Sequence, residues 1–230
     1  MSRPLLLGHR GARATRTIPE NTIQSFDLAL AHGCDGFEFD VRRTADGRAV
    51  ICHDPTVRDI EISKAGPGSL EFLPTLQQVL ARYAATAFLD IEVKVPGLEH
   101  GLLTTLRAHP PRRGFVVSSF LPEVLETLAA LDKSVPLGLL SETPSQLARW
   151  KHAPAQCILP HVPEINADLC QAVHAAGKKI FAWTLNDRHV MSQLADWGID
   201  GIISDDTELL VATFKGNSSE DTSQDLRPKI

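Results

Sequence analysis

The sequence lacks any apolar run near the ~18 residues that a helical membrane span needs. The stretch Val135 to Leu140 is already broken by Pro136 and Gly138. At the N-terminus one basic residue precedes only Leu5-Leu6-Leu7, too short for the core of a secretory signal. There is no basic excess: 23 Lys+Arg stand against 28 Asp+Glu, a formal charge of −5. A nucleic-acid binder ordinarily shows a basic face, so that class is not expected. Cysteine is scarce, and Cys34, Cys52, Cys157 and Cys170 include no CxxC pair. The four are expected as free thiols of a cytoplasmic protein, with no cysteine zinc site. No repeat of fixed period is present. The mild negative charge leaves an anionic substrate open, because a bound metal can supply positive charge locally.

What is present is ordinary globular material, 43% hydrophobic and 22% charged over 230 residues. Strand-length apolar runs alternate with helix-length amphipathic segments. The strands are expected at Leu5–His9, Gly36–Val41, Phe88–Lys94, Phe115–Ser119, Leu137–Leu140, Cys157–Pro160, Lys179–Leu185 and Gly201–Ser204. The helices are expected at Ile23–His32, Leu76–Ala84, Leu98–His109, Pro122–Leu131, Ser145–Lys151, Ala167–Ala176, Val190–Trp197 and Thr207–Phe214. In this length a closed (β/α)₈ TIM barrel is the economical arrangement. The barrel is expected over residues 1–215. The stretch 216–230, polar almost throughout, is expected to be a flexible tail.

A ninth apolar run, Ala49–His53, follows Gly36–Val41 too closely for a parallel crossover. Asp46-Gly47 between the two runs signals a hairpin. Ala49–His53 is therefore expected as an antiparallel lip on the barrel. A turn centred between Ala45 and Asp46 would pair positions summing to 91 and set His53 opposite Glu38.

Strand alternation assigns the chemistry. Phe37, Phe39 and Val41 share one face, and Glu38 and Asp40 share the other. Leu89, Ile91 and Val93 likewise oppose Asp90, Glu92 and Lys94. In a barrel the apolar sets meet the helices, so the carboxylates point inward near the carboxyl ends of the strands, where barrel active sites lie. Buried carboxylates from two strands need a cation. Glu38, Asp40 and Glu92 would suit one hard divalent ion, Mg²⁺ or Ca²⁺, with Mn²⁺ also possible. His9 and His53 each end a strand beside these acids, as a general acid–base pair requires. Arg10 offers a fork for phosphate and Lys94 a point charge. Asn21 is expected to cap the Ile23–His32 helix. Glu20 is a lesser candidate for the metal or phosphate region, and His161 for the rim. Trp150 and Trp197 read as packing residues.

These residues resemble a known family. His9-Arg10-Gly11-Ala12, Pro19-Glu20-Asn21-Thr22, Glu38-x-Asp40, His53-Asp54 and Glu92-x-Lys94 together are similar to the motifs of the glycerophosphodiester phosphodiesterases. Val117-Ser118-Ser119-Phe120, Trp183-Thr184-Leu185-Asn186 and the run from Gly198 to Asp205 agree. The resemblance implies a TIM-barrel metalloenzyme that hydrolyses glycerophosphodiesters to an alcohol and glycerol 3-phosphate. It implies His9 and His53 as the acid–base pair and Glu38, Asp40 and Glu92 as metal ligands. Arg10 and Lys94 would bind phosphate, and Trp183 would pack on the glycerol side. The expected partner is a small glycerophosphodiester; neither nucleic acid nor stable membrane insertion is expected, and the oligomeric state is open.

One departure stands out. Only Pro55–Leu73 is free to form a cap, shorter than is usual in the family, and the Arg-x-Thr that commonly follows the His-Asp pair has no clear counterpart beyond Arg58. A second reading keeps the barrel but acts on lysophospholipids or sphingolipids with phospholipase D-like cleavage. It would need an apolar landing surface, for which Ile60, Ile62, Leu70, Phe72 and Leu73 are the available residues. A non-catalytic barrel that binds a phosphorylated ligand would be marked by a missing histidine or carboxylate, and none is missing.

Overall fold

The computed structural model of the protein describes residues 3–215; the expected tail at 216–230 lies outside the described residues. In chain order the elements are β1 (Leu5–Gly8), α1 (Ile23–His32), β2 (Gly36–Arg43), β3 (Ala49–Ile51), β4 (Thr56–Val57), β5 (Ile60–Glu61), α2 (Leu76–Tyr83), β6 (Phe88–Val93), α3 (Glu99–Ala108), β7 (Phe115–Ser119), α4 (Pro122–Leu131), β8 (Leu137–Ser141), α5 (Pro144–Leu147), β9 (Cys157–Pro160), α6 (Ala167–Ala175), β10 (Lys179–Ala182), α7 (Arg188–Asp196), β11 (Gly201–Ser204) and α8 (Thr207–Phe214). Parallel pairing runs β1-β2-β6-β7-β8-β9-β10-β11 and returns to β1, closing an eight-stranded barrel with a helix after each strand. The expected TIM barrel is the observed fold. Several elements are shorter than expected, most of them by a residue at an end, and the lip strand β3 stops at Ile51, two residues short of His53. β10 ends at Ala182, and the fifth helix keeps four residues before tightening to a 3₁₀ turn over Ala148–Lys151.

The alternation of the strands builds two apolar layers. Phe37, Phe39, Leu89 and Ile91 pack outward against the helices, where Phe37 stacks on Phe26 of α1 at 4.3 Å between ring centres. Leu7, Val116, Leu159, Phe181 and Ile203 fill the barrel interior. All the α-helices except α3 and α4 start on side-chain caps, among them Thr22 on α1, Asn166 on α6, Asp187 on α7 and Asp206 on α8. Asn21 is therefore not the cap of α1. Its neighbour Thr22 accepts from the Ser25 amide, and Asn21 is directed into the barrel mouth.

β3 pairs antiparallel with β2, as expected of a lip, but its register is Val41↔Ile51, Arg42↔Val50 and Arg43↔Ala49. Those numbers sum to 92, one residue away from the expected pairing, so His53 does not lie opposite Glu38. The cause is the turn. Thr44 and Arg48 close it by a backbone bond, leaving three residues between them, with Gly47 at φ 86°. An odd loop ending on a left-handed glycine centres the hairpin on a residue instead of a bond.

The short cap is folded. β4 and β5 form a two-stranded hairpin, and Ile62, Ala65 and Leu70 pack with Val50 into a small core of their own. Two of the residues counted toward a lipid-landing surface, Ile62 and Leu70, are thus buried, and of that set only Phe72 is well exposed. No helix among the described residues is long and apolar enough to cross a membrane. All four cysteines are free, as expected, three of them buried.

Candidate active site

Two adjacent strands carry the acidic centre. In the β2–β6 register Glu38 stands beside Asp90, and Asp40 beside Glu92. All four side chains face the barrel axis and are buried, Glu92 the least so at 8% exposure. One oxygen each from Glu38, Asp40 and Glu92 lies within 4.8 Å of the others. The structure thus brings the three expected ligands together, with Asp90 one rung below, where it accepts a 2.6 Å bond from the Ser118 hydroxyl.

Buried like charges resist ionisation together. Burial pushes Glu38 well above the ordinary carboxylate range, and Asp40, Glu92 and Asp90 push it further. Burial and then Asp40 raise Glu92 to about 8, despite Lys94. Asp90 rises to about 7, again through burial. Asp40 alone moves the other way. Burial opposes its charge, but Lys94, Arg10 and Asn21 together outweigh that cost. Glu38 Oε1, Asp40 Oδ1, Glu92 Oε1 and Asp90 Oδ2 are buried without a hydrogen bond. Lys94 Nζ lies 2.6 Å from Glu92 Oε1 and 3.3 Å from Asp40 Oδ1, as an ion pair lacking hydrogen-bond geometry. An oxygen-only donor set whose buried oxygens accept no hydrogen bond fits a hard divalent cation.

The β1–α1 loop supplies the next residues. Arg10 (φ 50°), Gly11 (φ 83°) and Asn21 (φ 57°) all have left-handed backbones. A Cβ at Gly11 would strike Ser25, whose hydroxyl ties the loop to α1 by donating to the Arg10 carbonyl and accepting from Ala12. So held, the Arg10 amide donates to Glu38 Oε2 at 2.9 Å. Its guanidinium donates to Glu20 at 2.8 Å and stands 3.4 Å from Asp40 Oδ2. Glu20 therefore reaches Arg10 and Arg13, not the acidic centre. Asn21 Nδ2 donates to Asp40 Oδ2 at 2.8 Å.

The two histidines differ. His9 is nearly buried, with Nε2 3.8 Å from Glu38 and Nδ1 2.7 Å from Asp205. Burial lowers its pKa, an effect Asp205 partly opposes. His53 is half-buried on the cap side and pairs with Asp54 at 2.8 Å. Trp183 lies just past β10, its Nε1 donating to the Leu159 carbonyl and its ring flanked by Phe120 and His161. His161 thus reaches the rim, packed on Trp183.

Asp205 and Asn186, which close two of the motifs of the resemblance, have no role assigned from the sequence but do have one in the structure. Asn186 Nδ2 donates to Asp205 Oδ2, while its carbonyl accepts from Ser204 and from the Asp205 amide. Arg13 adds a bond to Asp205. The available signal was position: Asp205 immediately follows β11, as His9 follows β1.

The fold and this centre define a (β/α)₈ enzyme with buried carboxylates at the carboxyl ends of its strands, ringed by two histidines, an arginine and a lysine. The glycerophosphoryl diester phosphodiesterase family model matches residues 9–65 and 59–209. The chain belongs to that family, and is an enzyme of that kind. It is 30% identical to a glycerophosphodiester phosphodiesterase of Caldanaerobacter subterraneus over 90% of this chain and 96% of that one. A solved glycerophosphodiester phosphodiesterase of Thermotoga maritima superposes with a TM-score of 0.80 at 25% identity, covering 92% of this chain and 99% of that one. A phosphodiesterase of Oleispira antarctica, solved with its product sn-glycerol-3-phosphate, gives 0.80 at 26% identity over 92% and 96% of the two chains.

Proposed function

We propose that the chain hydrolyses glycerophosphodiesters to an alcohol and glycerol 3-phosphate. In this reading Glu38, Asp40 and Glu92 hold one divalent cation, and His9 and His53 move the protons. The observation that carries it is the set of three buried carboxylates, each with an oxygen that accepts no hydrogen bond, within 4.8 Å of one another and beside His9 and Lys94. The product bound in the Oleispira relative supports the same product here. Bound at these oxygens, Mg²⁺, Ca²⁺ or Mn²⁺ would draw charge from a nonbridging phosphate oxygen.

The chain's own groups do the rest. Arg10 and Lys94 offer donors to the phosphate, each held near Asp40 by an ion pair. Trp183, fixed by its bond to Leu159, presents its ring to the glycerol. His9, whose burial favours the neutral ring, takes a proton from the nucleophile at Nε2. His53, on the cap side, returns a proton to the departing alkoxide. Whether water or the neighbouring glycerol hydroxyl attacks is readable from early products, since the second route passes through a cyclic phosphate. The four free thiols favour a cytoplasmic location.

The test is release of glycerol 3-phosphate from soluble diesters after chelation, with Mg²⁺, Mn²⁺ and Ca²⁺ added back separately. Release that stops on chelation and returns with one of them is expected. Undiminished release after exhaustive chelation would remove the cation from the reaction. Lysophospholipid vesicles should be poorer substrates, because the cap turns Ile62 and Leu70 inward.

Asp205 is assigned as the residue that orients His9. Its 2.7 Å bond to Nδ1 places the proton there and leaves Nε2 free to accept. Asp205→Asn can present an amide donor to Nδ1 and favour the other tautomer. A kcat loss on the order of 10²-fold is expected, with KM and the cation requirement little changed. Loss confined to KM would refute the orienting role.

A further inference from the structure

A cavity of about 360 Å³ opens beside the acidic centre, between the loop before α1 and the cap. Glu20 and Asn21 line one side; His53, Asp54, Arg58 and Phe72 line the other. Two residues join it to the centre. Asn21 also bonds Asp40, and His53 is the group assigned to protonate the departing alkoxide. The volume falls in the range of small-molecule sites, roughly 300–1,000 Å³.

Its charges are unevenly committed. Glu20 accepts from Arg10 at one oxygen and from Arg13 at the other. Asp54 is paired with His53. The guanidinium of Arg58 lies over the Phe72 ring, 4.0 Å from its centre. A quaternary ammonium is held by a spare carboxylate or an open aromatic face, and here both oxygens of Glu20, one oxygen of Asp54 and the Phe72 face beneath Arg58 are already engaged. Arg58 itself has no side-chain hydrogen bond or ion pair among the described residues. It is nevertheless positioned. Arg58 and Asp59 turn the β4–β5 hairpin with left-handed backbones (φ 48° and 62°), and the Phe72 ring supports the fork. A guanidinium so presented matches a carboxylate or phosphate.

We propose that this cavity receives the alcohol portion of the diester, and that Arg58 selects alcohols carrying a negative group over quaternary ammonium ones. The assignment rests on the hydrolytic reading above and adds the class of leaving group. Thr56, also on the wall, places a hydroxyl beside the same space.

The experiment compares kcat/KM for glycerophosphoinositol 4-phosphate and glycerophosphocholine in the wild type, Arg58→Ala and Arg58→Glu. The wild type should favour the anionic headgroup. Arg58→Ala should cut that preference about tenfold or more, chiefly through KM, since a charge-assisted bond is removed. Arg58→Glu should invert it. A wild-type preference for glycerophosphocholine, or an unchanged ratio in both variants, overturns the assignment while leaving hydrolysis intact. If neither diester is cleaved under any of the three cations, the hydrolytic reading falls and this assignment with it.

Discussion

Glu38→Gln and Glu92→Gln are each expected to lose on the order of 10³-fold in kcat/KM while remaining folded. Each change removes one anionic oxygen from a donor set of three carboxylates among the described residues. The fold should survive because, without a cation, these side chains are already driven toward the neutral form. A glutamine of similar shape then replaces a protonated acid.

The same physics makes cation-free stability depend on pH. Glu92 rises from 4.5 to about 8 on folding, so the folded state binds the proton more tightly. The associated stability is complete below about 4.5 and is lost as pH climbs through about 8. With chelator present, the wild-type Tm should fall across that window, and Glu92→Gln, which cannot ionise, should flatten the fall. Added Mg²⁺ or Ca²⁺ should raise Tm more at the alkaline end, because the ionised cluster binds it. Thermal melts with and without chelator, together with glycerol 3-phosphate release, read both effects. Full activity of either variant at low cation concentration would reject the ligand assignment.

His53→Ala and His9→Ala should separate when the leaving group is changed. An alkoxide leaving group needs a proton; a nitrophenolate does not. Loss of the acid should therefore cost on the order of 10²–10⁴-fold on glycerophosphocholine and far less on a nitrophenyl phosphodiester. Loss of the base should cost the same on both. In the proposed reading His53 is the acid, since it lines the cap-side cavity, and His9 the base, since it is buried beside Glu38 with Nδ1 held by Asp205. The two substrates assayed against each variant give four rates that decide it. Equal losses on both substrates for both variants would leave the histidines as phosphate-binding groups only.

Most of the barrel and the acidic centre could be read locally. A strand's side chains alternate with period two, so GFEFDV by itself separates Phe37, Phe39 and Val41 from Glu38 and Asp40. The same rule places Asp90 and Glu92, and the β2–β6 register then sets the two pairs side by side. Alternating strands and helices of this length point to a closed barrel, which sends the acids inward. The motifs carrying the family resemblance lie within such local stretches.

What could not be read locally depends on backbone detail or on distance along the chain. The hairpin register shifted by one because a left-handed Gly47 closes an odd loop, a choice made by turn geometry and not by hydrophobic pattern. Asn21 satisfies the sequence preference for a helix cap, yet Thr22 takes that position and Asn21 bonds Asp40. A left-handed backbone at one residue decides between the two. Asp205 is 196 residues from His9, and only the closure of β11 onto β1 brings their side chains to 2.7 Å. The sequence alone thus determined the barrel, the inward carboxylates and the family. Tertiary closure decided the orientation of His9, the partner of Asp40 and the cavity beside His53, because each depends on residues that meet only when distant loops are held at one rim.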